Sequence, residues 1–347
     1  MTTQLIQPEL AGSNELRKFK QVSKLLLTTT VGSFPKPDYL KKARTDFRAK
    51  RINSKRLEEF EQKATRDWIR VQEEIGLDIL VDGEMYRGDM ATYFAEEYAG
   101  FKISGLVRSY GNRYYRKPIV VRKIRRTKPV TLKWFQFAQD LTDKPIKGML
   151  TGPYTMMDWS FDEYYGSRKK CALALAEVIN REAKDLEKAG AKYIQIDEPA
   201  ISTRPEELDL AIAALKIASS GLKAKTITHI CYGRFELIYP KMLKLPVDQI
   251  DLEMSNSGYD MLALFQKDPF TKEIGLGVLD VHSHKIETKE AVKSRIKAAM
   301  EVMPLEKIYV DPDCGLKTRS QEETVVKLKV MVQAVEEIRE ELASKNA

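Results

Sequence analysis

The sequence predicts an α/β fold, an eight-stranded (β/α)8 TIM barrel. Two observations carry that prediction. Short β-rich runs alternate with helical patterns eight times, near residues 26–31, 77–81, 147–151, 193–196, 225–230, 249–254, 274–279 and 308–311. Polar residues able to do chemistry also cluster at one end of these runs. Ser33, Glu84, Asp197, His229, Cys231, Glu253, His282 and Cys314 each close a strand or begin the loop after it, the functional end of a TIM barrel. Core packing does not explain one polarity shared by eight residues. A doubly wound sheet is the alternative.

A length of 347 residues suits one barrel or two ordinary domains. The chain divides into a polar arm over 1–24 and a barrel over 25–347, with an insertion at about 91–145. The arm shows no strong periodicity and no apolar core of a signal peptide. The first strand leaves through Gly32-Ser33-Phe34-Pro35. Charged residues with apolar positions at helical spacing predict one helix over 38–75, closed by Gly76. The second strand runs into Asp82-Gly83-Glu84. The insertion, rich in Arg, Lys and Tyr, reads as a hairpin and a helix. Helices follow at 165–189, 205–219, 234–243, 259–266, 288–303 and 320–344, each leading to or from a strand.

The composition is 43% hydrophobic and 31% charged, with no stretch near the roughly 18 apolar residues of a membrane span. Three widely spaced Cys do not make a disulfide framework. These features read as a soluble, cytoplasmic protein. The net charge of +8 reads first as Lys and Arg on solvated helix faces.

Thr226-Ile-Thr-His-Ile-Cys-Tyr-Gly233 is the stretch with most chemical content. His229 and Cys231 are two apart, so on a strand they share a side. Glu253 ends the sixth strand and Cys314 the eighth. One nitrogen, two sulfurs and a carboxylate oxygen make a sensible Zn2+ set. With both thiols ionised that set carries a net charge of −1, poor for making hydroxide and suited to holding a further thiolate. Four protein ligands normally mark a closed site, so one must be labile. Glu253, the hard ligand among softer ones, is that one. Cys171, inside the helical run Cys171-Ala-Leu-Ala-Leu-Ala, reads as a small buried hydrophobe.

Seven segments resemble the catalytic C-terminal half of cobalamin-independent methionine synthase. They are Thr28-Thr-Thr-Val-Gly-Ser-Phe-Pro35, Asp82-Gly-Glu-Met-Tyr-Arg-Gly-Asp-Met90, Thr151-Gly-Pro-Tyr-Thr155, Ile194-Gln-Ile-Asp-Glu-Pro-Ala200, His229-Ile-Cys231, Asp280-Val-His-Ser283 and Asp311-Pro-Asp-Cys-Gly-Leu-Lys-Thr-Arg319. They keep their order over residues 25–320. The resemblance implies zinc at His229, Cys231, Glu253 and Cys314, and L-homocysteine held at Ser33, Glu84 and Asp197. Buried carboxylates suit its ammonium group, and the Val31–Ser33 turn offers donors to its carboxylate. His282 is implied as proton donor to the departing methyl carrier, and Trp159 as the aromatic that stacks on the pterin. His284 has no implied role beyond the surface or a supporting hydrogen bond.

The resemblance is incomplete in two places. Long family members carry a second, N-terminal barrel that helps hold the folate polyglutamate tail, and this chain is too short for it. Ile201-Ser-Thr-Arg204 stands where the family has an acidic pterin contact. The methyl donor therefore stays open between a folate or pterin and a methylcorrinoid on a partner protein. The basic 108–126 stretch, with Arg113 and Arg116, would dock such a partner. Two other readings are a related barrel methylating another thiol such as coenzyme M, and a basic nucleic-acid-binding protein with a structural zinc. Ser33, Glu84 and Asp197 favour an amino-acid acceptor over a sulfonate, and no nucleic-acid module stands behind the last reading.

Overall fold

The computed structural model describes residues 22, 24–108, 114–255 and 258–345. Most of the expected 1–24 arm, and Arg113 in the basic stretch, lie outside the described residues. Nine strands occur among them. The hairpin β1 (Ala99–Arg108) and β2 (Tyr114–Arg125) precedes β3 (Lys147–Thr151) and β4 (Phe161–Asp162). Then come β5 (Tyr193–Asp197), β6 (Lys225–Ile230), β7 (Gln249–Leu252), β8 (Glu273–Gly277) and β9 (Ile308–Asp311). Six of these pair in parallel in the order β3-β5-β6-β7-β8-β9. Helices cover the outside, as parallel strands require.

The first two expected strands, 26–31 and 77–81, are not regular strands. Each makes a single bridge, Thr28 to Val310 and Leu80 to Ile146. Leu26 turns through φ 52°. The Asp78 carboxylate takes the Thr28 N–H (2.7 Å) and hydroxyl (2.9 Å), occupying a position a ladder carbonyl would fill. These two segments nevertheless close the barrel. Val310 N–H donates to Leu27 O, and Asp78 and Ile79 N–H both donate to Thr28 O. Leu80 N–H donates to Pro145 O, and Lys147 N–H donates back to Leu80 O. The hydrogen-bonded ring thus runs through eight segments, the architecture the sequence predicts.

Two helical expectations are corrected. The run at 38–75 is two helices, Asp38–Arg48 and Ser54–Ile75. Lys50 turns through φ 57°, and the Asn53 side chain caps the second helix by accepting from Arg56 N–H. The run at 234–243 is two short 3-10 turns, Phe235–Leu237 and Lys241–Lys244, with Pro240 between them unable to donate a helical hydrogen bond. The insertion holds helix Met90–Glu97, the β1–β2 hairpin and helix Leu132–Gln139. It is anchored by Glu182, fully buried in helix Arg168–Lys188, which accepts from Val130 N–H, Thr131 N–H and the Thr131 hydroxyl and pairs with Arg126.

Cys171 is buried and its thiol is pushed up to about 12 by burial, as a packing residue. No described helix is long and apolar enough to cross a membrane.

Side chains alternate along each barrel strand, and the inward set is polar. Lys225 at the start of β6 reaches across β7 to Glu273 Oε1 (2.6 Å) and to the Tyr309 hydroxyl (2.7 Å). That reach places these three inside the barrel at its N-terminal end. His229, four residues further along β6, points the same way at the opposite end.

Candidate active site at the C-terminal end of the barrel

His229, Cys231 and Cys314 converge there. Their ligand atoms lie within 4.8 Å of one another, on β6, just after it and just after β9. His229 and Cys231 are buried. Neither ring nitrogen of His229 has an aligned hydrogen bond, so a buried imidazole is left with its polar atoms unspent. The Cys231 and Cys314 sulfurs lie close enough to bear on each other's ionisation. This holds Cys314 well below the usual thiol range and raises Cys231 well above it. Zinc with bonds of about 2.0–2.3 Å to nitrogen and sulfur needs tetrahedral edges of roughly 3.5–3.8 Å. The cluster therefore fits a small thiophilic cation with little adjustment.

Glu253 stands outside that trio. Its Oε2 accepts the Tyr232 N–H (2.9 Å), and its Oε1 lies 3.3 Å from His282 Nε2, an ion-pair distance without hydrogen-bond alignment. The Glu253 carboxylate raises the His282 pKa above its ordinary value, against some burial. On its other side His282 Nδ1 meets the Tyr232 hydroxyl at 3.2 Å, with the two rings 4.9 Å apart. Tyr232 therefore touches both, which its sequence position beside Cys231 did not signal. It holds a left-handed φ of 54°, uncommon for a large side chain.

The loop carrying His282 is held from behind. Asp280 Oδ1 accepts the His282 N–H (2.8 Å). Asp280 N–H donates to Glu287 Oε1, and fully buried Lys327 donates to Asp280 O (3.0 Å) and Glu287 Oε2 (2.8 Å). Lys327 lies on helix Gln321–Lys345, too far along the chain for a local pattern to link it to the loop. His284 is exposed and pairs with Glu323, a surface role.

Ser33, Glu84 and Asp197 are gathered beside the trio. A β-carbon at Gly315 would lie 2.0 Å from Ser33 Oγ, and one at Gly32 would lie 2.9 Å from Glu84 Oε1. The Gly32–Ser33 turn is thus pressed between Glu84 and the Cys314 loop. Gln195 Nε2 ties that turn to Asp197, donating to Val31 O (2.8 Å) and Asp197 Oδ1 (2.7 Å). Burial pushes the Asp197 carboxyl up to about 7, with His229 pulling the other way. Burial also works on Glu84, but the Arg87 guanidinium outweighs it and holds that carboxyl below its usual range.

Trp159 follows the short helix Pro153–Asp158 after β3, half-buried against the core. In the departing segment, Arg204 pairs with Asp158 (2.8 Å). Ser202 and Thr203 help line a cleft of about 560 Å³ that opens beside Tyr232, Phe235 and Glu253.

Known proteins resemble this chain over most of its length. Residues 26–337 match the family model described as cobalamin-independent synthase, catalytic domain. A methionine synthase of Sulfurisphaera tokodaii is 42% identical over 322 residues, covering 92% of this chain and 95% of that protein. A 5-methyltetrahydropteroyltriglutamate–homocysteine methyltransferase of Aeromonas salmonicida is 44% identical over 92% of this chain, which spans only 44% of that longer protein. Among solved structures, a B12-independent methionine synthase from Shewanella in complex with selenomethionine superposes with a TM-score of 0.83 at 33% identity. It covers 92% of this chain and 99% of its own. The chain belongs to the cobalamin-independent methionine synthase family.

Proposed function

We propose that this protein methylates the sulfur of L-homocysteine to give L-methionine, using a reduced methyl-pterin of the tetrahydropteroyl class. The observation that carries the reading is the juxtaposition of the His229, Cys231 and Cys314 trio with Ser33, Glu84 and Asp197 at one end of the barrel. A thiol site and an amino-acid clamp are thereby within one substrate's reach. One Zn2+ is the fitting cation, held by the trio and, before substrate enters, by Glu253. Bound there, it would keep a substrate thiol deprotonated at neutral pH.

The protein's own groups supply the rest. Asp197 and Glu84 meet the ammonium group, and the Ser33 hydroxyl with the turn N–H groups meets the carboxylate. The cleft beside Tyr232 and Glu253 receives the donor, with Trp159 as the stacking ring. As the carbon–sulfur bond forms and the carbon–nitrogen bond breaks, the departing ring nitrogen takes a proton from His282. The Tyr232 hydroxyl and the Asp280 loop hold His282, which supports this role. The Aeromonas relative's name supports a pteroyl donor, and no observation favours a methylcorrinoid protein. A cytoplasmic location fits this role.

The test is metal content with zinc-edge X-ray absorption, with and without L-homocysteine. The reading requires one zinc per chain and a rise from two to three sulfurs in its shell on adding homocysteine. Zinc with an unchanged shell sinks it. Turnover with methyl-tetrahydropteroyl triglutamate against methylcobalamin then identifies the donor.

A further inference from the structure

We infer that Arg87 is a positioning residue for substrate recognition: it grips one oxygen of Glu84 so that Glu84 and Asp197 present a single net negative charge to the substrate ammonium group. The inference rests on the homocysteine reading above and deepens it.

Arg87 is among the largest fully buried side chains, 1% exposed. Its Nη2 donates to Glu84 Oε1, while Nε and Nη1 have no partner. A guanidinium cannot shed its proton, so this charge is permanent and needs an anion beside it. Glu84 is that anion. A buried ion pair adds little to stability compared with apolar packing, so its presence at the edge of a binding site calls for another explanation.

The backbone of Glu84 gives one. Its φ is +59°, a left-handed conformation for a residue with a side chain, and such strain persists only where the surroundings enforce it. Here they do. Glu84 N–H donates to Asp82 Oδ1 (2.8 Å), and Glu84 O accepts from Lys36 Nζ (3.2 Å) and from Arg87 N–H (3.3 Å). Arg44 Nη2 binds the next carbonyl, Met85 O, at 2.6 Å. The carboxylate end is fixed as firmly, with Oε1 between Arg87 and the Gly32 turn. The other oxygen, Oε2, is then left to meet the ammonium group.

Charge decides the matter. Two carboxylates facing one ammonium would leave a net charge of −1 in a buried site, where an unbalanced charge is expensive. Adding Arg87 brings these four groups to zero, and the neighbouring Asp82 and Lys36 add one formal charge of each sign.

The experiment is calorimetric binding of two thiols to the zinc-loaded full chain, L-homocysteine and its analogue without the amino group, 4-mercaptobutanoate. In R87M, homocysteine should bind about thirtyfold or more weakly, as expected when a buried charge loses its partner. The analogue, which does not use Glu84, should bind within about threefold of wild type. R87K keeps the charge and loses the planar fork. It should recover part of the homocysteine affinity, and it carries the test alone if R87M fails to fold or to hold zinc. Equal losses for both thiols, or unchanged homocysteine affinity in a folded variant, overturn the assignment. Wild-type protein that ignores homocysteine overturns the functional reading itself.

Discussion

Replacing Asp197 by Asn tests the amino-acid clamp most directly, because the structure dictates how the new side chain must sit. Gln195 Nε2 donates to both Val31 O and Asp197 Oδ1, at 2.8 and 2.7 Å. The Asn oxygen must take the Oδ1 position to keep that bond, which turns its NH2 group toward the pocket. There it meets the substrate ammonium group donor to donor. The variant loses a charge-assisted hydrogen bond and leaves the ammonium group short of a counter-charge. Removing one partner of a buried charged pair costs about 3–5 kcal/mol, or roughly 150- to 5,000-fold in affinity. Flipping the Asn does not rescue it, because two NH2 groups would then face each other. The assay is calorimetric titration of homocysteine into zinc-loaded protein, with zinc content measured on the same sample. An affinity within threefold of wild type would show that Asp197 does not face the ammonium group. Loss of zinc would show that its role is at the metal.

The other expectations concern the trio, the proton donor, the turn and the scaffold. C314S should lose zinc and activity together; full zinc retention removes Cys314 from the site. H282N should retain zinc and homocysteine binding while turnover falls about 10²- to 10⁴-fold, the usual range for a lost general acid, and a loss of homocysteine affinity instead would refute that role. In G315A the added methyl collides with Ser33 Oγ. Homocysteine affinity should fall by about tenfold, one charge-assisted hydrogen bond, with zinc unchanged; normal affinity would place the substrate carboxylate elsewhere. E182A takes from Arg126 one of its two carboxylates, Asp185 remaining, and leaves two backbone donors and the Thr131 hydroxyl without their buried acceptor. It should destabilise the chain by about 3–5 kcal/mol in chemical denaturation, and a change below about 1 kcal/mol would mean that the insertion is anchored by packing alone.

Local signals carried the barrel and the trio, and non-local ones hid the rest. β-rich runs that close in or just before His229, Asp197 or Cys314 announce both strand and polarity, because the chemistry of a parallel barrel gathers at the C-terminal ends of its strands. The first two segments read as strands on the same signal. Their departure comes from Asp78 bonding to Thr28 across fifty positions, which no periodicity encodes. The single helix expected at 38–75 failed for a local reason, since Asn53 is a strong N-cap inside an otherwise helical pattern. Lys327 and Glu287, which hold the His282 loop, sit forty positions apart and look like surface charges in the sequence. Tyr232 looked like a residue after a motif, and its left-handed backbone appears only in three dimensions.

The position of Glu253 bears on how the proposed four-ligand zinc site would accept a substrate thiol. Its two oxygens already have neighbours when it stands apart from the trio, Tyr232 N–H for one and His282 for the other. Moving the carboxylate toward a cation forfeits both contacts, and releasing it restores them. On the proposed reading these contacts offset part of the cost of releasing the carboxylate, and the softer ligand favours the exchange. The same geometry couples two events that the chemistry needs together. A Glu253 that has moved aside brings its charge against His282, which favours the protonated imidazole.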